Sequence, residues 1–185
     1  MKKLLLSLLL AAGAVGAEGL PQVQTGAPDK LAFQPGQAWE SAAKKAGAFN
    51  IECRPLEGYL FDADTICRFS VPEGHKMLGL PLHTEGSVIL HKEHIVLSAL
   101  GFVREADVRT DEVVKRLADV TGLRPLSEGG FTILTSADPN STRKMAPEVL
   151  HKVPAFLVTT AVESRVEVYS GNFAAVLVIV EMNQR

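Results

Sequence analysis

The chain has 185 residues, of which 46% are hydrophobic and 22% are charged. These fractions are ordinary for an ordered soluble domain and argue against wholesale disorder. The formal net charge is −2, and no cluster of lysines and arginines is present. This composition excludes a typical nucleic-acid-binding protein, because such binding depends on neutralising phosphates.

The first predicted element is a secretory signal peptide over residues 1–17. Lys2 and Lys3 form a short positive region, an apolar stretch follows over residues 4–12, and small residues precede a cleavage point before Glu18. The apolar stretch is too short to span a bilayer as a stable helix. We therefore expect an exported protein of the bacterial periplasm, cell envelope or medium, with no transmembrane span after cleavage. Losing both lysines leaves 17 basic against 21 acidic residues, a formal charge of −4.

The mature chain is predicted to be a tether followed by one domain. Residues 18–36 contain recurring prolines and glycines, which leave little room for regular structure. Residues 37–185 have the length of a single domain. We expect an α+β fold, with two short-to-medium helices packed on a mainly antiparallel sheet and a three-stranded meander at the C-terminal end.

Two helices are predicted from apolar residues at helical spacing. The first runs over residues 39–46, with Trp39 as a core anchor, and ends at Gly47. The second runs over residues 111–121, with Thr110 as its N-cap, and ends at Gly122. A glycine directly after a helix adopts the left-handed conformation at low cost.

Strands are predicted where β-branched and aromatic residues cluster between turns. Residues 72–86, rich in glycine and proline, are predicted to be mainly loop. Residues 88–100 favour two short strands around a polar turn, with a single helix as the open alternative. The other strands are predicted over residues 48–54, 59–71, 123–126, 131–136, 155–162, 165–170 and 173–182. The last three form the meander, and the unbroken apolar run from residue 173 predicts a central strand covered on both faces.

Cys53 and Cys67 are the only cysteines. Thiols in exported proteins usually pair, so we predict a structural disulfide between them. This bridge closes a loop of about 15 residues and stabilises the fold by roughly 3 kcal/mol. If the two surrounding strands form a hairpin, the disulfide staples that hairpin.

Two pieces of the chain repeat the order of helix, glycine and strand. The first comprises residues 30–33 and 39–47, and the second comprises residues 112–123 and 129–134. These pieces resemble the small αβ modules of secretins and the short N-terminal domains of TonB-dependent receptors. The resemblance implies an envelope module that docks to other proteins without catalysis. In this chain the two pieces lie farther apart than in that family.

Four histidines occur close together in sequence and are candidate metal ligands. They are His75, His83, His91 and His94, interleaved with Glu73, Glu85 and Glu93. Neutral imidazole and carboxylate groups suit a zinc or copper site. Along one strand His91 and His94 point to opposite sides, and they share a face only in a helix. The alternative interpretation is a set of solvated loop and turn histidines.

Asp62 and Asp64 are the remaining candidates for chemistry. Two nearby carboxylates can share general acid and base work, or can bind calcium. The alternative is a bend in which each aspartate bonds to nearby backbone. We find no nucleophile-elbow or phosphate-loop pattern and predict no catalytic or cofactor-binding residues.

The sequence therefore predicts a non-enzymatic exported bacterial protein that acts through protein–protein contacts. The expected partners are envelope proteins or a second copy of the chain, because the meander leaves sheet edges to be covered. One alternative is a metal-binding protein that uses the segment from His75 to His94. A second alternative is a hydrolase of unrecognised type that uses Asp62, Asp64 or a histidine.

Overall fold

The described part of the chain consists of two similar units, each a helix followed by antiparallel strands. A computed structural model describes residues 31–56, 63–103, 109–128, 130–138, 145, 149, 152–159 and 165–183. The predicted signal peptide and residues 18–30 of the predicted tether lie outside these ranges.

The helices and strands follow one another along the chain as α1 (Trp39–Ala46), β1 (Phe49–Pro55), β2 (Thr65–Ser70), β3 (Lys76–Met77), β4 (Leu80–His91), β5 (His94–Val103), α2 (Thr110–Thr121), β6 (Arg124–Glu128), β7 (Phe131–Thr135), β8 (Pro154–Thr159), β9 (Arg165–Asn172) and α3 (Phe173–Asn183). The bounds of α1 and α2 agree with the predicted helices within one residue.

The strands form one antiparallel sheet whose order is symmetric about its centre. The order is β1-β2-β4-β5-β9-β8-β7-β6, and β3 pairs with β4 beside this path. The first four strands of this order come after α1 in the sequence, and the last four come after α2. The two halves join where β5 pairs with β9, with Ser98 opposite Ser170. The repeat seen locally in the sequence therefore extends to two whole units.

Both units begin in the same way. Gly47 and Gly122 have φ angles of 64° and 69°, and a strand starts two residues after each glycine. The predicted glycine ends of both helices are confirmed. The predicted N-cap of the second helix was wrong, because Thr110 is already helical and the extended Arg109 precedes it without a side-chain cap.

One face of the sheet packs against both of these helices. The core between this face and the helices includes the fully buried Phe33, Phe102 and Phe156. Phe69 of β2 packs against two aromatic side chains at the start of the first unit. Its ring centroid lies 4.7 Å from that of Phe33 and 5.2 Å from that of Trp39. Trp39 therefore packs against the core, in agreement with its predicted role as an anchor.

Residues 31–36, at the end of the predicted tether, also belong to this core. Leu31 and Phe33 are buried. The Gly36 N–H donates to the carbonyl oxygen of Ile95 at 2.7 Å. The packed chain therefore begins before residue 37.

The opposite face of the sheet differs between the two units. On the second unit, α3 covers it, and Phe173, Val176 and Val180 belong to one buried cluster with Ala155 and Leu157 of β8. On the first unit, this face carries exposed side chains such as Arg68 and Glu85. An open polar surface thus lies beside the half that α3 covers.

The predicted fold class was wrong. A long antiparallel sheet dominates the described residues, so the fold is β-rich rather than a set of helices on a sheet with a terminal meander.

The prediction of a last strand over residues 173–182 was also wrong, because these residues form helix α3. Asn172, which lies between two predicted strands, ends β9, and its Oδ1 accepts the N–H of Ala175 at 2.8 Å, which caps the helix. An unbroken apolar run suits a buried helix as well as a buried strand, so periodicity could not separate them.

The predicted loop at residues 72–86 was wrong over most of its length. β3 and the start of β4 form a hairpin, and its two turn residues, Leu78 and Gly79, have φ angles of 57° and 74°. Positive φ at both positions defines the type I′ turn that matches strand twist. Gly86 lies inside β4, where a Cβ atom would approach the Phe69 ring to 2.7 Å. Gly79 therefore forms a turn, and Gly86 allows close packing inside a strand. Sequence patterns do not distinguish these roles from a loop, which is why the segment was predicted to be one.

Candidate functional site

The disulfide predicted between Cys53 and Cys67 is confirmed. It joins directly opposite residues of β1 and β2, whose Cα atoms are 4.1 Å apart. This separation is typical of an antiparallel pair without mutual backbone hydrogen bonds. The N–H and C=O groups of Cys53 therefore point away from β2, toward the edge of the sheet. Cys67 is fully buried, whereas Cys53 is exposed.

β1 is an edge strand that is exposed along its whole length. All seven of its residues are exposed, and the order of the sheet ends at this strand. Phe49 and Ile51 keep 47% and 44% of their surface accessible. Among the residues that the structure describes, Val149 alone is a comparably exposed large hydrophobic residue. Apolar side chains on an open sheet edge are typical of a protein contact surface.

Two backbone features limit the regular part of β1 to residues 52–55. A bulge interrupts the pairing with β2 between Phe49 and Glu52, and Asn50 within it has a φ of 50°. At the other end, Pro55 has no N–H to donate. Bulges and prolines shorten the segment of an edge that another strand can join. The accessible segment is therefore short and centred near Cys53.

A polar groove of about 450 Å³ runs from β1 across the open face of the sheet. Small residues, including Ser87, Ala99 and Gly101, lie along it. Its charged side chains belong to Glu52, Arg68, Glu85, Arg165 and Glu167. Because the lining carries both acidic and basic groups, the groove suits a polypeptide segment of mixed charge better than a polyanion, which the acidic groups would repel.

The far side of this groove is a hydrogen-bonded cluster on β9. The Tyr169 hydroxyl donates to Glu167 at 2.6 Å, and Glu167 forms an ion pair with Arg165 at 2.9 Å. Burial, followed by the hydrogen bond to Glu167, raises the pKa of Tyr169 well above its ordinary value. Tyr169 therefore stays neutral at physiological pH and orients the Glu167 carboxylate.

The four candidate histidines are distributed from the residue before β3 to the start of β5. His75 precedes β3, and His83 lies near the start of β4. His91 and His94 pair with each other across the β4–β5 turn, so they lie on the same side of the sheet. Nδ1 of His94 is 2.9 Å from the carbonyl oxygen of Lys92. Within the described ranges, no three His, Cys, Asp or Glu side chains are grouped closely enough to hold a metal. Zinc or copper binding by these histidines stays a prediction.

Asp64 stabilises the same turn. Lys92 and Glu93 have φ angles of 46° and 67°, which again define a type I′ turn. One carboxylate oxygen of Asp64 accepts the N–H of Lys92 and the other accepts the Thr65 hydroxyl, both at 2.8 Å. These two hydrogen bonds, the one from Lys92 first, lower the pKa of Asp64. Asp62 lies outside the described residues, so a shared chemical role for the two aspartates stays a prediction.

Sequence reasoning identified the disulfide and the strand around Cys53 but not the position of that strand at the sheet edge. Residues 49–54 alternate apolar and polar side chains, as in any half-buried strand. Pro55 was the available signal, because prolines in sheets are confined to edges, strand ends and bulges. The exposure of Phe49 and Ile51 follows from that position.

Comparisons with protein-family models, curated proteins and solved structures found no match for this chain. The resemblance to secretin and TonB-type modules therefore stays a prediction. No helix within the described part of the chain is both long enough and apolar enough to cross a membrane.

Proposed function

We propose that the chain is an exported bacterial protein that acts through protein–protein contacts at β1, without catalysis. The observation that carries this proposal is the exposed edge, where Phe49 and Ile51 lie beside backbone groups that point out of the sheet. An open edge with apolar side chains is a site of indiscriminate strand pairing unless something covers it. A partner that adds a strand along β1 protects the edge and gains main-chain hydrogen bonds.

Two further features support a contact role for this region. The disulfide keeps β1 attached to β2, so the strand is held in place before a partner arrives, which lowers the entropic cost of binding. Disulfides also persist mainly in exported proteins. The charged groove begins at β1, so alternate side chains of an added strand would lie at its outer end.

Site-specific photo-crosslinking in cells that make the protein tests this proposal. A photoreactive residue at Phe49 or Ile51 is expected to give a covalent adduct of defined mass. The control position is Lys115, which is exposed on α2, far from β1 in the sequence. Adducts from Lys115 but none from the two β1 positions would contradict the proposal.

Matched substitutions complete the test. Ile51→Lys is expected to abolish the adduct formed by a photoreactive residue at Phe49, because it places a charge in the contact. Val149→Ser removes another exposed hydrophobic side chain and is expected to leave the adduct unchanged. Equal loss in both variants would count against a contact at β1.

A further inference from the structure

The direction of the backbone groups decides which residues of β1 can meet a second strand. Cys53 forms a non-hydrogen-bonded pair with Cys67, and the Leu56 N–H donates to the Asp64 carbonyl at 3.0 Å. In an antiparallel ladder, hydrogen-bonded and non-hydrogen-bonded residue pairs alternate along the strands. Residues 53 and 55 therefore present backbone groups outward, and residues 52 and 54 bond to β2.

Antiparallel pairing of residues 52–55 with a second copy can be centred on Glu52, Cys53 or Arg54, since an axis at Pro55 leaves the central pair without an N–H donor. A two-fold axis at Glu52 sets that carboxylate opposite its own copy, and an axis at Arg54 sets two guanidinium groups opposite each other. An axis at Cys53 sets Glu52 opposite Arg54 of the partner subunit, twice. Opposite charges stabilise a cross-strand pair and like charges destabilise it. Of these three registers, only the one centred on Cys53 avoids a like-charge pair.

We propose that two copies of the chain pair through their β1 strands about a two-fold axis at Cys53, forming one continuous sheet. This inference rests on the proposed function and names the partner as a second copy. Cys53 exchanges backbone hydrogen bonds with its own copy, and Ile51 lies opposite Pro55 of the partner subunit. Because each copy uses its β1 edge, the assembly closes after two chains, and the β1 edges of both copies are covered.

Charge reversal tests this arrangement. Sedimentation of the oxidised mature chain, residues 18–185, is expected to give a dimer. Glu52→Arg and Arg54→Glu each turn two attractive pairs into repulsive ones and are expected to raise the dissociation constant on the order of tenfold. An equimolar mixture of the two variants is expected to restore dimerisation, since every facing pair in the heterodimer is again opposite in charge.

Rescue in the mixture separates an intermolecular pair from a folding defect, because each variant keeps its own intramolecular change. Glu85→Arg is the matched control, since Glu85 is exposed in the groove but lies on β4. It is expected to leave the dissociation constant unchanged. A dimer that neither β1 variant weakens, or a mixture that stays monomeric after each variant alone has dissociated, would overturn the arrangement.

The oligomeric state and the crosslinks together show which proposal fails. A monomeric wild-type chain whose Ile51 position crosslinks to a different protein would overturn the dimer and support the contact role of β1. A monomeric chain with no adduct at Phe49 or Ile51 would overturn both. An adduct of twice the chain mass supports both.

Discussion

Ser98 and Ser170 lie directly opposite each other on β5 and β9, the strands that join the two halves of the sheet. Both side chains are buried, and neither hydroxyl has a hydrogen-bond partner among the residues that the structure describes. Val88 and Phe156 flank the pair in the same cross-strand row. Two desolvated hydroxyls thus lie at the centre of an otherwise apolar row.

Replacing either serine by alanine is therefore expected to preserve or increase stability. A buried polar group without a partner costs about 1–3 kcal/mol, so Ser98→Ala and Ser170→Ala should raise the free energy of unfolding by up to about 1 kcal/mol once lost packing is included. Urea unfolding of the oxidised protein measures the change. Ser87→Ala, on the open face, is the control. A loss above about 1 kcal/mol in either core variant would mean that its hydroxyl has a partner.

Reduction of the Cys53–Cys67 disulfide is expected to lower the free energy of unfolding by roughly 3 kcal/mol, because the bridge restricts a loop of about 15 residues in the unfolded chain. Denaturant unfolding with and without a thiol reductant measures this difference. The Cys53→Ala, Cys67→Ala double variant provides the control and should not respond to the reductant. An equal response in both proteins would contradict the prediction.

Gly86→Ala is expected to destabilise the first unit by about 1–3 kcal/mol, the usual cost of overpacking. A Cβ atom at this position would lie 2.7 Å from the Phe69 ring and 3.0 Å from a methyl group of Leu100. Combining Gly86→Ala with Phe69→Leu should cost less than the sum of the two single changes, because the smaller side chain relieves the clash. Strict additivity in unfolding measurements would show that the ring is not the obstacle.

The stability contribution of Asp64 is expected to vanish in acid. Its pKa is lowered in the folded protein by hydrogen bonds from Lys92 and Thr65. A lowered pKa stabilises the fold at pH values above the unfolded pKa, near 4, and this contribution is lost as the pH falls through the folded pKa. Unfolding free energies of the wild type and Asp64→Asn should therefore converge as the pH falls from about 4 through the lowered pKa of Asp64. A difference that stays constant with pH would contradict this account.

Features that depend on neighbouring residues could be predicted from the sequence. The apolar spacing of α1 and α2, and the left-handed Gly47 and Gly122, follow from local sterics and periodicity. The Cys53–Cys67 bridge followed from the expectation of export. The end of the chain could not be predicted in this way, because the run from Phe173 satisfies a buried helix and a buried strand equally well.

The candidate site was only partly predictable for the same reason. Sequence reasoning gave His91 and His94 a shared face only in a helix, yet the β4–β5 hairpin sets them opposite each other on one side of the sheet. Asp64 was identified as a residue of interest, but its role in holding the turn at Lys92 depends on a contact 28 positions away. Such contacts are absent from any local pattern.

The sequence by itself determined the two helix ends, the disulfide and the expectation of an exported protein, because each depends on residue chemistry or short-range spacing. Only the tertiary structure decided that β1 lies at the sheet edge with Phe49 and Ile51 exposed. It also decided that Ser98 and Ser170 meet where the two halves join. Strand order is set by long-range pairing and by the burial of whole sheet faces, and an alternating segment is compatible with either an edge or a central place.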